Sequence, residues 1–245
     1  MEDYDEANDP LLGIRKEDTE KQIESQIQEH LRQGFIAKVF GIIAYQIALL
    51  ILLVLFAFLN ESFRQLIYTS TFLYILSFII SITCLVVPIT NPSLFEKVPT
   101  NYILLTIFTL SYSWLVAFYT VHFDPKSVLV ALFLTLITVV SISIYALWTK
   151  TDYTVYGGVL FTSLTLLIFC GIIEIFFPIK LLYLISLYGG LIIFCLYLLY
   201  DVQLLVGNRI RKFKEDDYIL AAINIYLDII GIFIRILAIV GGKKN

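Results

Sequence analysis

The sequence predicts an all-α membrane protein, a seven-transmembrane-helix bundle, and three observations carry that prediction. The first is composition. Of the 245 residues, 59% are hydrophobic and only 15% are charged, whereas a soluble domain carries about 25% charged residues. Mean hydropathy is +0.87. The second is clustering. The apolar residues gather into seven runs, 36–59, 70–89, 101–121, 126–147, 154–177, 181–206 and 218–240, each near the ~20 residues a bilayer requires. The third is punctuation. The runs are separated by Asn60-Glu61, Asn91-Pro92 through Pro99, Asp124-Pro125, Lys150 to Asp152, Pro178 and a charged stretch at 207–217. Pro and Asn at such positions end helices, and loops this short make neighbouring spans antiparallel.

Taken in order, residues 1–34 form an acidic tail, expected on the cytosolic side. Ten of the 20 acidic residues fall within the first 29 positions, and the low apolar content there favours a solvated segment. Within the tail, Ile23, Ile27 and Leu31 recur at helical spacing, so 19–34 is either an amphipathic helix leading into the first span or unstructured. The first apolar run begins near residue 36, behind acidic residues. No cleavable signal peptide is expected, and the first span serves as the targeting signal. Residues 35–240 form the transmembrane domain and 241–245 a short tail.

Lys and Arg set the orientation. Arg15, Lys16, Lys21, Arg32, Lys38, Lys97, Lys150, Arg209, Arg211, Lys212 and Lys214 fall on the side of the N-terminus. Arg64, Lys126 and Lys180 fall opposite, joined by Lys243 and Lys244 if the last run crosses. The N-terminus is therefore expected in the cytosol. Cys84, Cys170 and Cys195 lie inside apolar runs without a C-x-x-C pattern, as small packing residues do. His30 and His122 lie outside the runs, which argues against zinc within the membrane. A net charge of −3 gives no reason to expect nucleic-acid binding.

Four ionisable residues interrupt the apolar runs: Glu174, Asp201, Asp228 and Arg235. A carboxylate near the middle of a membrane helix costs about 2.5–3.5 kcal/mol on insertion scales, and such residues face a bundle interior or a water path. Glu174 lies three residues before Phe177-Pro178 and reads as a boundary residue. In the last run, Asp217, Ala221, Asn224, Asp228, Gly231 and Arg235 share one helical face. Arg235 lies about 10.5 Å beyond Asp228 along that face, so it either bends back to the acid or snorkels to the far interface. Asp201 lies about 9 Å into its helix from Gly207, and Asp228 about 15 Å into the next from Tyr218. In an antiparallel hairpin their depths differ by about 6 Å, within side-chain reach. Two adjacent carboxyls in a low dielectric do not both ionise readily and titrate as one unit. Such a pair holds one proton, pairs with a cation or does acid–base chemistry, and spacing alone does not choose. Calcium takes about six to eight oxygen ligands. Asp201 and Asp228 with a few carbonyls would hold it only transiently, which suits permeation. Tyr197, Tyr200 and Asn224 are nearby polar candidates.

The run Asp216-Asp217-Tyr218-Ile219-Leu220-Ala221-Ala222-Ile223 through Tyr226-Leu227-Asp228-Ile229-Ile230 resembles the signature of the Bax inhibitor-1 motif superfamily, lifeguard and Golgi anti-apoptotic protein branch. Phe35, Lys38-Val39-Phe40 and Gln46 resemble the branch's first-span entry. Lys97-x-Pro99-x-Asn101 resembles its third-span entry. Tyr145-Ala146-Leu147, Lys150-x-Asp152-Tyr153 and Gly157 resemble its fourth-to-fifth connection, and Tyr200-Asp201 its sixth-span motif. The likeness covers about residues 32–240. It implies a seven-helix bundle with a central last helix. It also implies a pH-sensitive calcium leak in Golgi or endoplasmic reticulum membranes, and suppression of apoptosis. Asp201 and Asp228 would be the pH-sensing pair, and Asp216 would match a position of ion conduction that is Glu in most of the branch. Calcium would be the permeant ion, with no resident cofactor. Bcl-2-type proteins or calcium-release channels would be partners beside the lipid bilayer. Two departures stand out. Tyr112 occupies a third-span position that is Glu in many members. No basic residue lies between Phe72 and Ile89, where bacterial members carry an Arg that latches onto the acidic pair. Arg235 is then the intramembrane candidate for a latch.

Other classes fit less well. An intramembrane aspartyl protease also sets Tyr-Asp on one span and Asp on the next, but its second Asp lies in Gly-x-Gly-Asp, whereas here it follows Ile225-Tyr226-Leu227. Seven-helix receptors carry an Asn-Pro within a span, and here Asn91-Pro92 lies in a loop. A proton-coupled transporter would use the same carboxyl pair but usually shows inverted repeats, and none is evident. A non-conducting regulator that binds cell-death proteins or calcium-release channels stays open.

Overall fold

The computed structural model describes residues 10–91, 93–207 and 217–241. The basic residues of the 207–217 loop, Asp216, Lys243 and Lys244 lie outside the described residues. Every regular element among the described residues is helical. Among the described residues, six helices are long and apolar enough to cross a membrane, or seven if one bent helix pair is counted as a single span.

The first helix, α1 (Pro10–Leu59), runs unbroken for 50 residues. It thus includes 19–34, where both a helix and an unstructured tail were open. It stops at Asn60, whose side chain accepts a hydrogen bond of 3.0 Å from the backbone N–H of Phe63 and so N-caps the next helix. That helix, α2 (Glu61–Thr69), is short and amphipathic. Its buried Ile67 packs with Ala57, Ala117 and Val121. A 73° bend joins it to α3 (Thr71–Thr90). This surface helix was not anticipated from the sequence, because its apolar positions are too few to form a run. After the single turn α4 (Ser93–Glu96) comes α5 (Thr100–Thr120).

Asp124 and Pro125 start α6 (Pro125–Trp148) in the usual way. The carboxylate accepts from the N–H of Lys126 at 3.1 Å, and proline occupies the first turn, where its missing N–H costs nothing. The fifth predicted run begins with a 3-10 turn, Tyr153–Tyr156, capped by Asp152, and continues as α7 (Gly157–Phe176). The last two spans are α8 (Lys180–Val206) and α9 (Tyr218–Val240). Gly207 ends α8 with φ 78°, a left-handed C-cap that glycine adopts without strain.

The last helix is the hub. It packs against α8, α6, α1 and α5, whereas α7 packs on α8 and α3 on α5. Over its most apolar stretch α9 is 56% buried inside the protein, against 6% for the fifth span. Lipid is as apolar as leucine, so helix association in a bilayer rests on close packing and polar contacts more than on burial itself. Small residues serve that end: Ala221 and Ala222 are fully buried on α9, and Gly231 lets the Phe194 ring of α8 sit where a Cβ would lie 2.4 Å away. Outward-facing Leu52, Phe72, Phe133, Phe161 and Ile175 are exposed, the exterior that a lipid bilayer requires.

Candidate ion and proton site

Asp201 sits in the last two turns of α8, among the buried residues Leu198, Leu199, Val202, Leu204 and Leu205. Asp228 lies mid-way along α9, flanked by buried Tyr226 and Ile230. Antiparallel packing of α8 and α9 brings the two to one level. They are 4% and 5% exposed, and their carboxyls are hydrogen-bonded to each other. Such contact requires a proton, because two carboxylates have no donor. The Asp228 Oδ2 is buried without a hydrogen-bond partner. Tyr197 lies within electrostatic range of both acids, and Cys195 and Tyr112 lie within range of Asp228. The arrangement can hold one proton. On losing it, the pair becomes a doubly negative, oxygen-only site. No cluster of three or more His, Cys, Asp or Glu occurs among the described residues, so a calcium ion there would draw its other ligands from carbonyls or water.

The other candidates lie around this centre. Asn224, one turn before Asp228, is half-buried and makes no hydrogen bond to the pair. Asp217 occupies the N-cap position of α9. Arg235, the latch candidate, points elsewhere. Its Nη1 donates to the Gly231 carbonyl at 3.1 Å, and its guanidinium lies 4.4 Å from the centre of the Phe194 ring. No ion pair joins it to Asp228 in this conformation. Glu174 of α7 accepts a hydrogen bond from Ser186 of α8, so it ties two helices together near their shared turn.

Two clamps on the α8 end went unrecognised in the sequence. Buried Gln203 donates to the Thr151 carbonyl at 3.0 Å and accepts from the Tyr153 N–H at 2.8 Å. Arg32 of α1 donates to the Leu204 carbonyl and stacks on Phe35 at 4.7 Å. A lone glutamine within an apolar run was the available signal for the first; nothing local marks the second. A cleft of about 290 Å³, lined by Trp148, Thr149, Lys150, Gln203 and Val206 among others, lies at this end. Further in, α5 turns polar residues toward α1 and α9. Asn101 donates to the Tyr218 hydroxyl at 2.8 Å, Gln46 to Thr109 at 3.2 Å, and Ser113 lies 3.4 Å from the Tyr226 hydroxyl.

A family model described as inhibitor of apoptosis-promoting Bax1 matches residues 32–245. The chain belongs to the Bax inhibitor-1 family. A BI1-like protein of Arabidopsis thaliana is 36% identical over 227 residues, covering 89% of this chain and 84% of the relative. Protein LIFEGUARD 3 of the same plant is 34% identical over 242 residues, covering 93% and 96%. The family match begins at Arg32, the residue that grips the end of α8. It therefore takes in the clamp, the acidic pair and the hub helix, and leaves out the projecting half of α1.

Proposed function

We propose that this Bax inhibitor-1 family protein is a pH-sensitive calcium leak of an internal membrane, Golgi or endoplasmic reticulum, that lowers store calcium and restrains apoptosis. The observation that carries this reading is the buried contact between Asp201 and Asp228 on the two helices that pack most extensively together. With a proton between them, the carboxyls bridge α8 and α9. Without it, two like charges repel in a poorly solvated site and attract a divalent cation instead. The loss of a bridge and the gain of a repulsion both bias the helix pair toward a looser packing. Calcium flux through proteoliposomes is therefore expected to rise with pH between about pH 5 and 8, where such a pair titrates. Asp201→Asn and Asp228→Asn keep the shape but remove the titration. Each should flatten the profile, and the double variant should resemble either single one, because the pair acts as a unit. Wild-type profiles in both single variants at matched protein levels would sink the mechanism.

A second reading, a non-conducting regulator that binds cell-death proteins or calcium-release channels, is favoured by one observation. Ile23, Ile27 and Leu31 form an exposed apolar ridge on the projecting half of α1. The same liposomes separate the two, since a regulator alone passes no calcium.

A further inference from the structure

Three helix ends meet in a cleft whose walls are mostly aromatic. It encloses about 590 Å³ and is lined by Phe118, Tyr119, His122, Phe123 and Tyr183, with Ala238 and Gly241. Phe118 and Tyr119 belong to the last turn of α5, and His122 and Phe123 to the connection after it. Tyr183 comes from the first turn of α8, and Ala238 from the last turn of α9. The phenols of Tyr119 and Tyr183 are close enough to act on each other. Several of these side chains are held in place. The His122 Nδ1 donates to the Phe118 carbonyl at 2.7 Å, since a carbonyl can only accept. The centre of its ring lies 4.8 Å from that of Tyr68 and 5.2 Å from that of Phe118. The rings of Tyr119 and Phe123 are 5.1 Å apart. Gly241 lets the end of α9 lie against Phe123, where a Cβ would fall 2.3 Å from the ring.

The lining holds no Lys or Arg to repel a cation and no Asp or Glu to pair with one. What it offers a cation is diffuse. Aromatic faces are negative and attract cations, quaternary ammonium groups in particular. The C-terminal ends of α5 and α9 add the negative ends of two helix dipoles, whose last carbonyls lack partners within the helix. The N-terminal end of α8 opposes them, one against two. A primary ammonium is a compact, strongly hydrated charge, and without a carboxylate this cleft would not repay its lost water. A quaternary ammonium has no N–H to satisfy, and its methyl groups pack on rings. The volume falls within the range for small organic ligands, about 300–1,000 Å³, and exceeds what a bare metal ion needs.

We propose that this cleft is an aromatic cage for a quaternary ammonium group, free or as the choline head of a phospholipid. Tyr183 lies 18 residues before Asp201 on α8, about 27 Å along the helix, so the site is separate from the acidic pair and does not depend on the calcium-leak reading. The test is equilibrium dialysis of radiolabelled choline against the purified full chain in maltoside micelles. Wild type should bind choline saturably. Unlabelled choline should displace it, and 3,3-dimethylbutanol, which has the same shape without the charge, should not. Short-chain phosphatidylcholine and phosphatidylglycerol separate the sources. Stronger displacement by phosphatidylcholine than by choline assigns the site to the lipid head, and equal displacement assigns it to the free ammonium. Tyr183→Leu should weaken binding about tenfold, as for loss of a ring from a cation contact. Tyr183→Phe, which keeps the ring, should bind like wild type. His122→Lys places a positive charge in the lining and should abolish binding. Tyr183 is half-exposed, so its variants serve if the His122 variant fails to fold. Absence of saturable binding, displacement by the neutral isostere as by choline, or equal binding by wild type and folded Tyr183→Leu would overturn the proposal. Equal losses in Tyr183→Phe and Tyr183→Leu would do so too, since the hydroxyl and not the ring would then hold the ligand.

Discussion

Gln203 commits both ends of its amide to one connection, the four residues between α6 and the turn that opens α7 together with the first residue of that turn. The Thr151 carbonyl and the Tyr153 N–H have their partners in that side chain, which is 1% exposed. Gln203→Leu keeps the volume but leaves a donor and an acceptor unpaired, at a cost of about 2 kcal/mol. The expected result is a lower unfolding temperature in detergent. Gln203→Glu keeps the acceptor and loses the donor while burying a charge, so it should be at least as harmful. A variant as stable as wild type would show the clamp to be incidental. The sequence exposed Asp201 and Asp228 as candidates because a charge in an apolar run is costly and therefore visible. Gln203 and Arg32 are less visible because their partners are backbone groups far along the chain, and a backbone carbonyl has no sequence signature.

At the scale of the element, the seam between α8 and α9 is where small residues matter. Gly231 gives way to the Phe194 ring, and Gly190 to the Arg235 guanidinium, so each helix is notched opposite a large side chain of the other. Gly231→Ala places a methyl against an aromatic ring that cannot simply swing away, and overpacking of this kind costs about 1–3 kcal/mol. Combining it with Phe194→Leu should recover part of that loss in a thermal unfolding assay, because the two sites share one contact. Additive losses would show that the ring is not the obstacle. The long helices were legible because hydropathy alone fixes them: 70–89 is found as Thr71–Thr90 and 218–240 as Tyr218–Val240. The surface helix Glu61–Thr69 and the 3-10 turn Tyr153–Tyr156 were not, since pieces of one or two turns carry too few positions to show a period.

For the whole molecule, the alternation of spans sets which groups share a side of the membrane. Lys126 begins α6 and Lys150 follows its end, with both exposed and about 36 Å of helix between them. Single cysteines at these two positions, in a background without the native cysteines, should label from opposite sides. The side reached at Lys150 should also be that of the 207–217 loop, expected in the cytosol from its four basic residues. Labelling of both positions from one side would overturn the arrangement. That α9 is the hub was legible only through the family resemblance. Hydropathy gives a helix that lies at the centre and one that lies at the rim the same long apolar run. What distinguishes α9 is small residues on several faces, which acquire meaning only when neighbours are in place.

The length of α1 has a mechanical consequence. From Pro10 to Arg32 it is about 33 Å of continuous helix, exposed over residues 21–31, and Arg32 is hooked onto the Leu204 carbonyl, three residues from Asp201. Such a helix is a lever with its fulcrum at the bundle. A tilt of about 5° moves the free end by about 3 Å and turns a weak sideways pull there into torque on the end of α8. Anything that binds the projecting rod thereby gains leverage on the helix that carries half of the acidic pair, without having to enter the membrane.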